Sequence, residues 1–231
     1  MSIGDLKKAP KSSILLAAMT PQDCRTLFES SQRKTFAAGA TIFTAGEPGT
    51  TVILIDAGRA EISMTLMSGR KCVLAHMGPG EVLGEIAALD GGLRTADAVA
   101  ASRVTGRVLS RQNILKFVSE RPNVASAIIA ELCSKVRNAT DMYAVQSVTE
   151  GDQRLARALL RLFDKWGEAG PDGALRLAEK FSQSDIGEFS GLARENVNRH
   201  VKTWADSGIL RVDGRQLVLL DREALAAIAA I

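Results

Sequence analysis

Cysteine and histidine are scarce in this 231-residue chain, which has three cysteines, Cys24, Cys72 and Cys133, and two histidines, His76 and His200. The cysteines are odd in number, far apart and form no C-x-x-C pair. That argues against a disulfide framework or a cysteine-rich zinc site and leaves buried, reduced thiols as the expectation. Two isolated histidines and scattered carboxylates do not make the base, nucleophile or metal constellation that an enzyme requires, so we expect a non-enzyme that holds no metal. No apolar run approaches the ~18 residues of a membrane span. Lys7, Lys8 and Lys11 do precede Ile14–Met19, but that run falls short of a secretory h-region, and Thr20-Pro21 ends it without a cleavage-like site. The expectation is a cytoplasmic protein with a loose basic tail and no membrane partner. A large net charge is missing as well: 29 Lys and Arg against 26 Asp and Glu leave +3, which neither argues for nucleic acid nor excludes it.

What is present is ordinary globular material, 46% hydrophobic and 24% charged. It is enough for one large domain or two modest ones and is not the composition of a disordered chain. Leu15, Leu16, Met19, Leu27 and Phe28 around Pro21 fit short helices. From Phe36 to Leu109, glycines recur between short β-branched runs such as Thr51–Ile55, Ala60–Leu66, Val73–His76 and Val104–Leu109. That texture predicts an all-β barrel or jelly roll. Helical texture returns at Arg111, and Pro122 suits the first turn of a helix because its missing N–H would have no partner there. From there to Gly151, Ala125, Ile129, Leu132, Val136, Ala139 and Tyr143 recur at alternating four- and three-residue steps, an a/d seam. The seam fits either a helix packed on its own barrel or a dimer interface; its length, about 28 residues against the usual ~11–12, tilts the reading to the dimer. Gly151-Asp152 then starts another helix over Leu155–Trp166, with Asp152 the expected N-cap. The resulting division is 1–121, 122–150 and 151–231.

Residues 84–96 end in chemically interesting groups. A glycine at the start of a helical turn leaves backbone N–H groups free for an anion. Arg94 offers a planar fork to phosphate oxygens and Thr95 a hydroxyl, while Glu85 could accept from a sugar hydroxyl. Together these suggest a nucleotide. By physics alone, an ordinary surface loop whose Arg and Glu are solvated or paired to each other is the favoured reading.

A second pattern lies in residues 182–204. A short helix with Ile186 and Phe189 inward stops at Ser190-Gly191, and a second helix follows. Its inner face carries Leu192, Val197, Val201 and Trp204, and its outer face Arg194, Glu195, Asn198, Arg199 and Lys202. This is helix-turn-helix spacing with base-reading groups outward. Arg can bond guanine bidentately and Glu can accept from cytosine N4. Ile209–Val212, Asp213-Gly214 and Gln216–Leu220 form a tight hairpin, which makes the whole a winged helix.

Gly84-Glu85-Ile86 followed by Arg94-Thr95-Ala96 resembles the phosphate-binding cassette of cyclic-nucleotide-binding domains. Upstream, Gly39-x-x-Ile42-Phe43-x-x-Gly46-Glu47-x-Gly49, Ile55-x-x-Gly58 and Gly78-Pro79-Gly80-Glu81 resemble the same family. With the C-terminal helices, roughly residues 20–220 resemble the catabolite activator/fumarate–nitrate regulator (Crp/Fnr) superfamily of bacterial transcription factors. The fold this implies is α+β: a cyclic-nucleotide-binding β-roll, a long dimerisation helix and a winged helix-turn-helix.

The resemblance further implies that Glu85 binds the ribose 2′-hydroxyl, that Arg94 and Thr95 bind the cyclic phosphate, and that the amides of Gly84–Ile86 complete the cradle. The implied effector is cAMP (or cGMP). The adjacent Thr and Ser that read adenine in cAMP-responsive members fall on Ala139 and Thr140, so one hydroxyl is missing. Arg194-Glu195-x-x-x-Arg199 is similar to the recognition helix of the catabolite-activator branch. It implies TGTGA-like half-sites in a DNA palindrome bound by a homodimer, with RNA polymerase a partner the resemblance allows. Asn196 and Asn198 depart from the smaller residues usual there. Cys72 and His76 raise haem ligation as in carbon-monoxide-sensing relatives, but they sit on an expected strand beside an intact cassette. Two alternatives to a nucleotide-controlled regulator stand: a regulator of this fold answering redox or another signal without nucleotide, and a nucleotide-dependent enzyme.

Overall fold

The computed structural model describes residues 14–67, 69, 71–146, 150–170, 173–178, 180–214 and 216–230, with the side chains of 14 and 141–146 outside the description. The chain divides into two compact units, Met1–Asn138 and Ala139–Ile231.

The first unit opens with helices α1 (Ile14–Ala18) and α2 (Pro21–Glu29). Strands β1 (Gln32–Phe36), β2 (Thr41–Phe43), β3 (Thr51–Ala57), β4 (Ala60–Thr65), β5 (Lys71–Met77) and β6 (Val82–Leu83) follow. Then come helix α3 (Glu85–Asp90), strands β7 (Asp97–Ala100) and β8 (Val104–Ser110), and helix α4 (Arg111–Ser119). The strands pair antiparallel into two four-stranded sheets, β1-β8-β3-β6 and β2-β7-β4-β5, the jelly-roll texture expected from the glycine-punctuated runs. β3 shows why its sequence reads as a continuous apolar run rather than an alternation. Ile53 and Ile55 enter the core that also holds Ala60, Met77 and Ala100 of the other sheet, whereas Val52 and Leu54 face helices through Leu27, Ile114 and Phe117. A strand covered on both faces loses the polar half of its period.

Helix α5 (Pro122–Gln146) begins at the proline and runs for 25 residues. Val124 and Ala127 are buried in the core of the first unit, but Ile129 and Val136 are 61% and 66% exposed. One flank of the helix therefore packs on its own barrel while Ile129 and Val136 of the seam remain open, and Ala125 and Leu132 of the seam are partly buried. Tyr143 lies outside the described side chains.

In the second unit, α6 (Gly151–Trp166) is capped at Glu150 rather than Asp152. Asp152 instead sits inside the first turn, where its carboxylate accepts from the Gln153 amide at 2.8 Å and its charge suits the positive end of the helix dipole. Leu155, Leu159, Leu162, Phe163 and Trp166 line its buried face. Strands β9 (Gly167–Ala169) and β10 (Leu175–Leu177), absent from the sequence reading, extend the terminal hairpin into a sheet ordered β11-β12-β10-β9. Here β11 is Leu210–Asp213 and β12 is Gln216–Leu219. Three-residue strands are too short to show a period of two. Helices α7 (Gln183–Ser190), α8 (Arg194–Asp206) and α9 (Arg222–Ala229) complete the unit.

Candidate functional site

The cassette is built where β6 ends. Gly84 caps α3 in the left-handed region, φ 76°, and a β-carbon there would run into Nη1 of Arg94. Both facts require glycine. The first amides of α3 have no partner within the helix, as at any helix start.

Arg94 is only 6% exposed. Its backbone is stitched to the loop before β3: its N–H donates to the Glu47 carbonyl at 2.8 Å, and its carbonyl accepts from Gly46 N–H at 2.9 Å. The guanidinium donates from Nη1 to the Gly84 carbonyl at 2.7 Å and from Nη2 to the Thr51 carbonyl at 2.7 Å and Oγ1 at 3.1 Å. It also lies over the Phe43 ring at 4.3 Å. Burial pulls its pKa below the ordinary arginine value, and the nearby carboxylates of Glu47 and Glu85 oppose that shift. This is a desolvated, oriented cation at the mouth of a helix start, the arrangement that recognises a compact anion.

Glu85 opens α3 and is buried. Its carboxylate accepts from Lys135 Nζ of α5 at 2.6 Å, and the same ammonium lies 3.8 Å from Glu131. Sequence reasoning missed Lys135. Its one legible signal was the Glu131–Lys135 spacing of four, which says nothing about residue 85. Ile86 and Thr95 are exposed at the edge of the same cradle. The structure thus brings Gly84, Glu85, Ile86, Arg94 and Thr95 together. Thr140 is exposed on α5 beyond Asn138, where the first unit ends.

Cys72 and His76 lie on β5. His76 is 3% exposed and its Nδ1 is 3.2 Å from Arg59 Nη1, a cationic neighbour unsuited to a metal ligand. Among the described residues no group of three or more His, Cys, Asp or Glu could hold a metal ion.

In the second unit a capping box between Ser182 and Asp185 starts α7. Gly191, at φ 71°, ends it. Gly187 makes the sharp turn possible, since a β-carbon there would sit 2.7 Å from the Leu192 carbonyl oxygen. Leu192 belongs to that turn rather than to the recognition helix, because α8 begins at Arg194 with Ala193 as its N-cap. Val197, Val201 and Trp204 of α8 are buried against Leu155, Leu159, Phe163 and Ile186. Arg194, Glu195, Asn198, Arg199 and Lys202 are all exposed, so the five expected readers share the outer side. His200 is half-buried with its ring 5.9 Å from that of Trp204, packed beside the inner face. In the wing, Asp213 pairs with Gln216, so the turn opens at Gly214, φ 63°, one residue later than the Asp-Gly pattern suggests.

Residues 33–121 match the family model "Cyclic nucleotide-binding domain" and residues 153–228 the model "Crp-like helix-turn-helix domain". The chain is 30% identical over 219 residues to the cyclic AMP receptor protein of Thermus thermophilus, covering 93% of this chain and 98% of that one. It is 28% identical over 212 residues to the CRP-like cAMP-activated global transcriptional regulator of Mycobacterium tuberculosis, covering 92% and 94%. Among solved structures, FixK2 from Bradyrhizobium japonicum superposes with a TM-score of 0.77 at 26% identity, covering 87% of this chain and 98% of that one. A cyclic-nucleotide-binding roll followed by a Crp-like helix-turn-helix, with a relative 30% identical along nearly the whole chain, makes this protein a DNA-binding transcription regulator of the Crp/Fnr family.

Proposed function

We propose that the regulator is controlled by a cyclic nucleotide, cAMP in preference to cGMP, bound in the Gly84–Thr95 cradle. The observation that carries this reading is the buried guanidinium of Arg94 held at the Gly84 carbonyl, 2.7 Å away, beside the start of α3. Arg94 and Thr95 take the cyclic phosphate and Glu85 takes the ribose 2′-hydroxyl. The base lies toward α5, where Thr140 supplies the one hydroxyl. The names of the Thermus and Mycobacterium relatives favour cAMP. Calorimetric titration of the full chain with cAMP and with cGMP tests it. Heat and saturation with cAMP support the reading, and no heat with either nucleotide removes it.

One observation favours a second reading, a nucleotide-independent regulator of the same fold. Glu85 is already paired with Lys135 and Arg94 with backbone acceptors, so the cradle is internally satisfied. The same titration separates the two readings.

The chain works as a homodimer in the cytoplasm. Its sensor spans residues 1–121, its dimerisation helix 122–150 and its reader 151–231. Exposed Ile129 and Val136 supply the seam. Two recognition helices about one DNA turn, ~34 Å, apart would engage a palindrome of TGTGA-like half-sites through Arg194, Glu195, Asn198, Arg199 and Lys202, with RNA polymerase as the onward partner. Control requires that nucleotide bind the DNA-competent state more tightly than the other.

A further inference from the structure

The side-chain amides of Gln183 and Asn198 are joined across the helix-turn-helix: Gln183 Nε2 donates to Asn198 Oδ1 at 3.0 Å. Gln183 is the first residue of α7. Asn198 stands on the exposed side of α8, one turn after Arg194 and one turn before Lys202, in the middle of the row of expected readers. We infer that Gln183 is a positioning residue for base recognition, locking the Asn198 amide so that its Nδ2 hydrogens rather than its carbonyl face the DNA. The inference rests on the DNA-reading role proposed for α8.

The chemistry follows from the valences. A free asparagine reads adenine with both ends of its amide, accepting from N6 and donating to N7. Once Oδ1 accepts from Gln183 Nε2, the Asn198 amide cannot turn over unless the Gln183 amide turns over with it, and in the paired arrangement seen the end left outward is the Nδ2 donor. A pure donor selects base edges rich in acceptors, namely guanine N7 and O6 or thymine O4, and gains nothing from the amino groups of adenine or cytosine. The pair thus makes a reader with a polarity that neither residue has alone. Gln183 needs no base contact of its own to contribute.

Glutamate at position 183 reverses the logic. A carboxylate cannot donate to Oδ1, but it accepts from Nδ2, which turns the Asn198 carbonyl outward and should favour adenine N6 or cytosine N4 at the same base pair. The added negative charge also repels phosphate, but that lowers affinity for all duplexes alike and does not change the preferred base at one position.

The test uses the full-length protein with saturating cAMP and a library of duplex DNA carrying two randomised, palindromically related half-sites. Affinities are then measured for the selected duplex and each of its single-base variants. The expected results concern one position of the half-site, the one at which Asn198→Ala lowers discrimination. At that position Gln183→Ala lowers discrimination about fivefold, the value of one hydrogen bond, the double variant does no worse than either single one, and Gln183→Glu changes the preferred base. Thermal melting of each variant and loss of selectivity in Arg199→Ala serve as controls. A Gln183→Ala protein that melts normally and keeps every base preference overturns the inference, as does a uniform loss across all duplexes, which would mark Gln183 as a phosphate contact. A wild-type protein that selects no sequence overturns the base-reading role of α8 itself, and the inference with it.

Discussion

At the scale of single residues, Arg94 carries two duties. Its proposed outward task is to meet an anion, yet its Nη atoms already satisfy the part-buried carbonyls of Gly84 and Thr51. Arg94→Ala should therefore abolish the calorimetric response to cAMP, at least a hundredfold in affinity given two charge-assisted bonds. It should also cost about 1–3 kcal/mol of stability through the orphaned carbonyls, measurable by urea denaturation of the free protein. The sequence suggested only the first effect, because the acceptors at residues 51 and 84 meet Arg94 through strand pairing.

Asp23 is a residue whose charge state matters to folding. Hydrogen bonds from Thr20 and then from Arg121 hold its carboxyl below 3.8. A depressed folded-state pKa adds stability that is present above the unfolded value and lost as the pH falls through the folded one. Asp23→Asn should lower the melting temperature at neutral pH, and the gap from wild type should close as the pH falls through the depressed folded-state pKa. A gap that persists in acid would mean that the pairing with Arg121 contributes nothing through charge.

At the scale of elements, α5 separates two kinds of apolar residue. Val124 and Ala127 are in the core, while Ile129 and Val136 are open. Changing Ile129 and Val136 together to Asp should yield a monomer by sedimentation with its melting transition largely kept, since neither side chain supports its own barrel. The same pair of changes at Val124 and Ala127 would unfold it. The a/d spacing was visible in sequence, but which of its positions were already covered was not, because burial depends on strands and helices far away in the chain. The turn between α7 and α8 makes the opposite case. Gly187 carries no motif that marks it, yet Gly187→Ala should destabilise the second unit by about 1–3 kcal/mol through overpacking against the Leu192 carbonyl, read as an earlier denaturant midpoint.

At the scale of the whole molecule, net charge misleads. Residues 152–231 hold twelve basic and twelve acidic side chains, so the reader is formally neutral and the excess of three lies in the first 151 residues. On the function proposed above, DNA affinity comes from local placement of Arg194, Arg199 and Lys202 on one exposed side. Operator binding should fall steeply with salt although the domain is neutral. Saturating cAMP should raise operator affinity in the intact chain and leave the Arg94→Ala variant unmoved. Gel-shift titrations across ionic strength with and without nucleotide would measure both, and an operator affinity indifferent to cAMP would end the ligand-switch reading.

The sequence by itself determined the order of parts: a glycine-punctuated roll, a long helix opened by proline, and a helix-turn-helix with its inner and outer faces. It also marked the cassette ends, Gly84-Glu85 and Arg94-Thr95. These are local properties, set by backbone conformation and by spacings of a few residues. Only the tertiary structure decided which acceptors hold Arg94, that Lys135 meets Glu85 across fifty residues, that β9 and β10 extend the wing, and that Gln183 grips Asn198. Each of those depends on the pairing of segments distant in the chain, where register and packing, rather than any short-range preference, choose the partner.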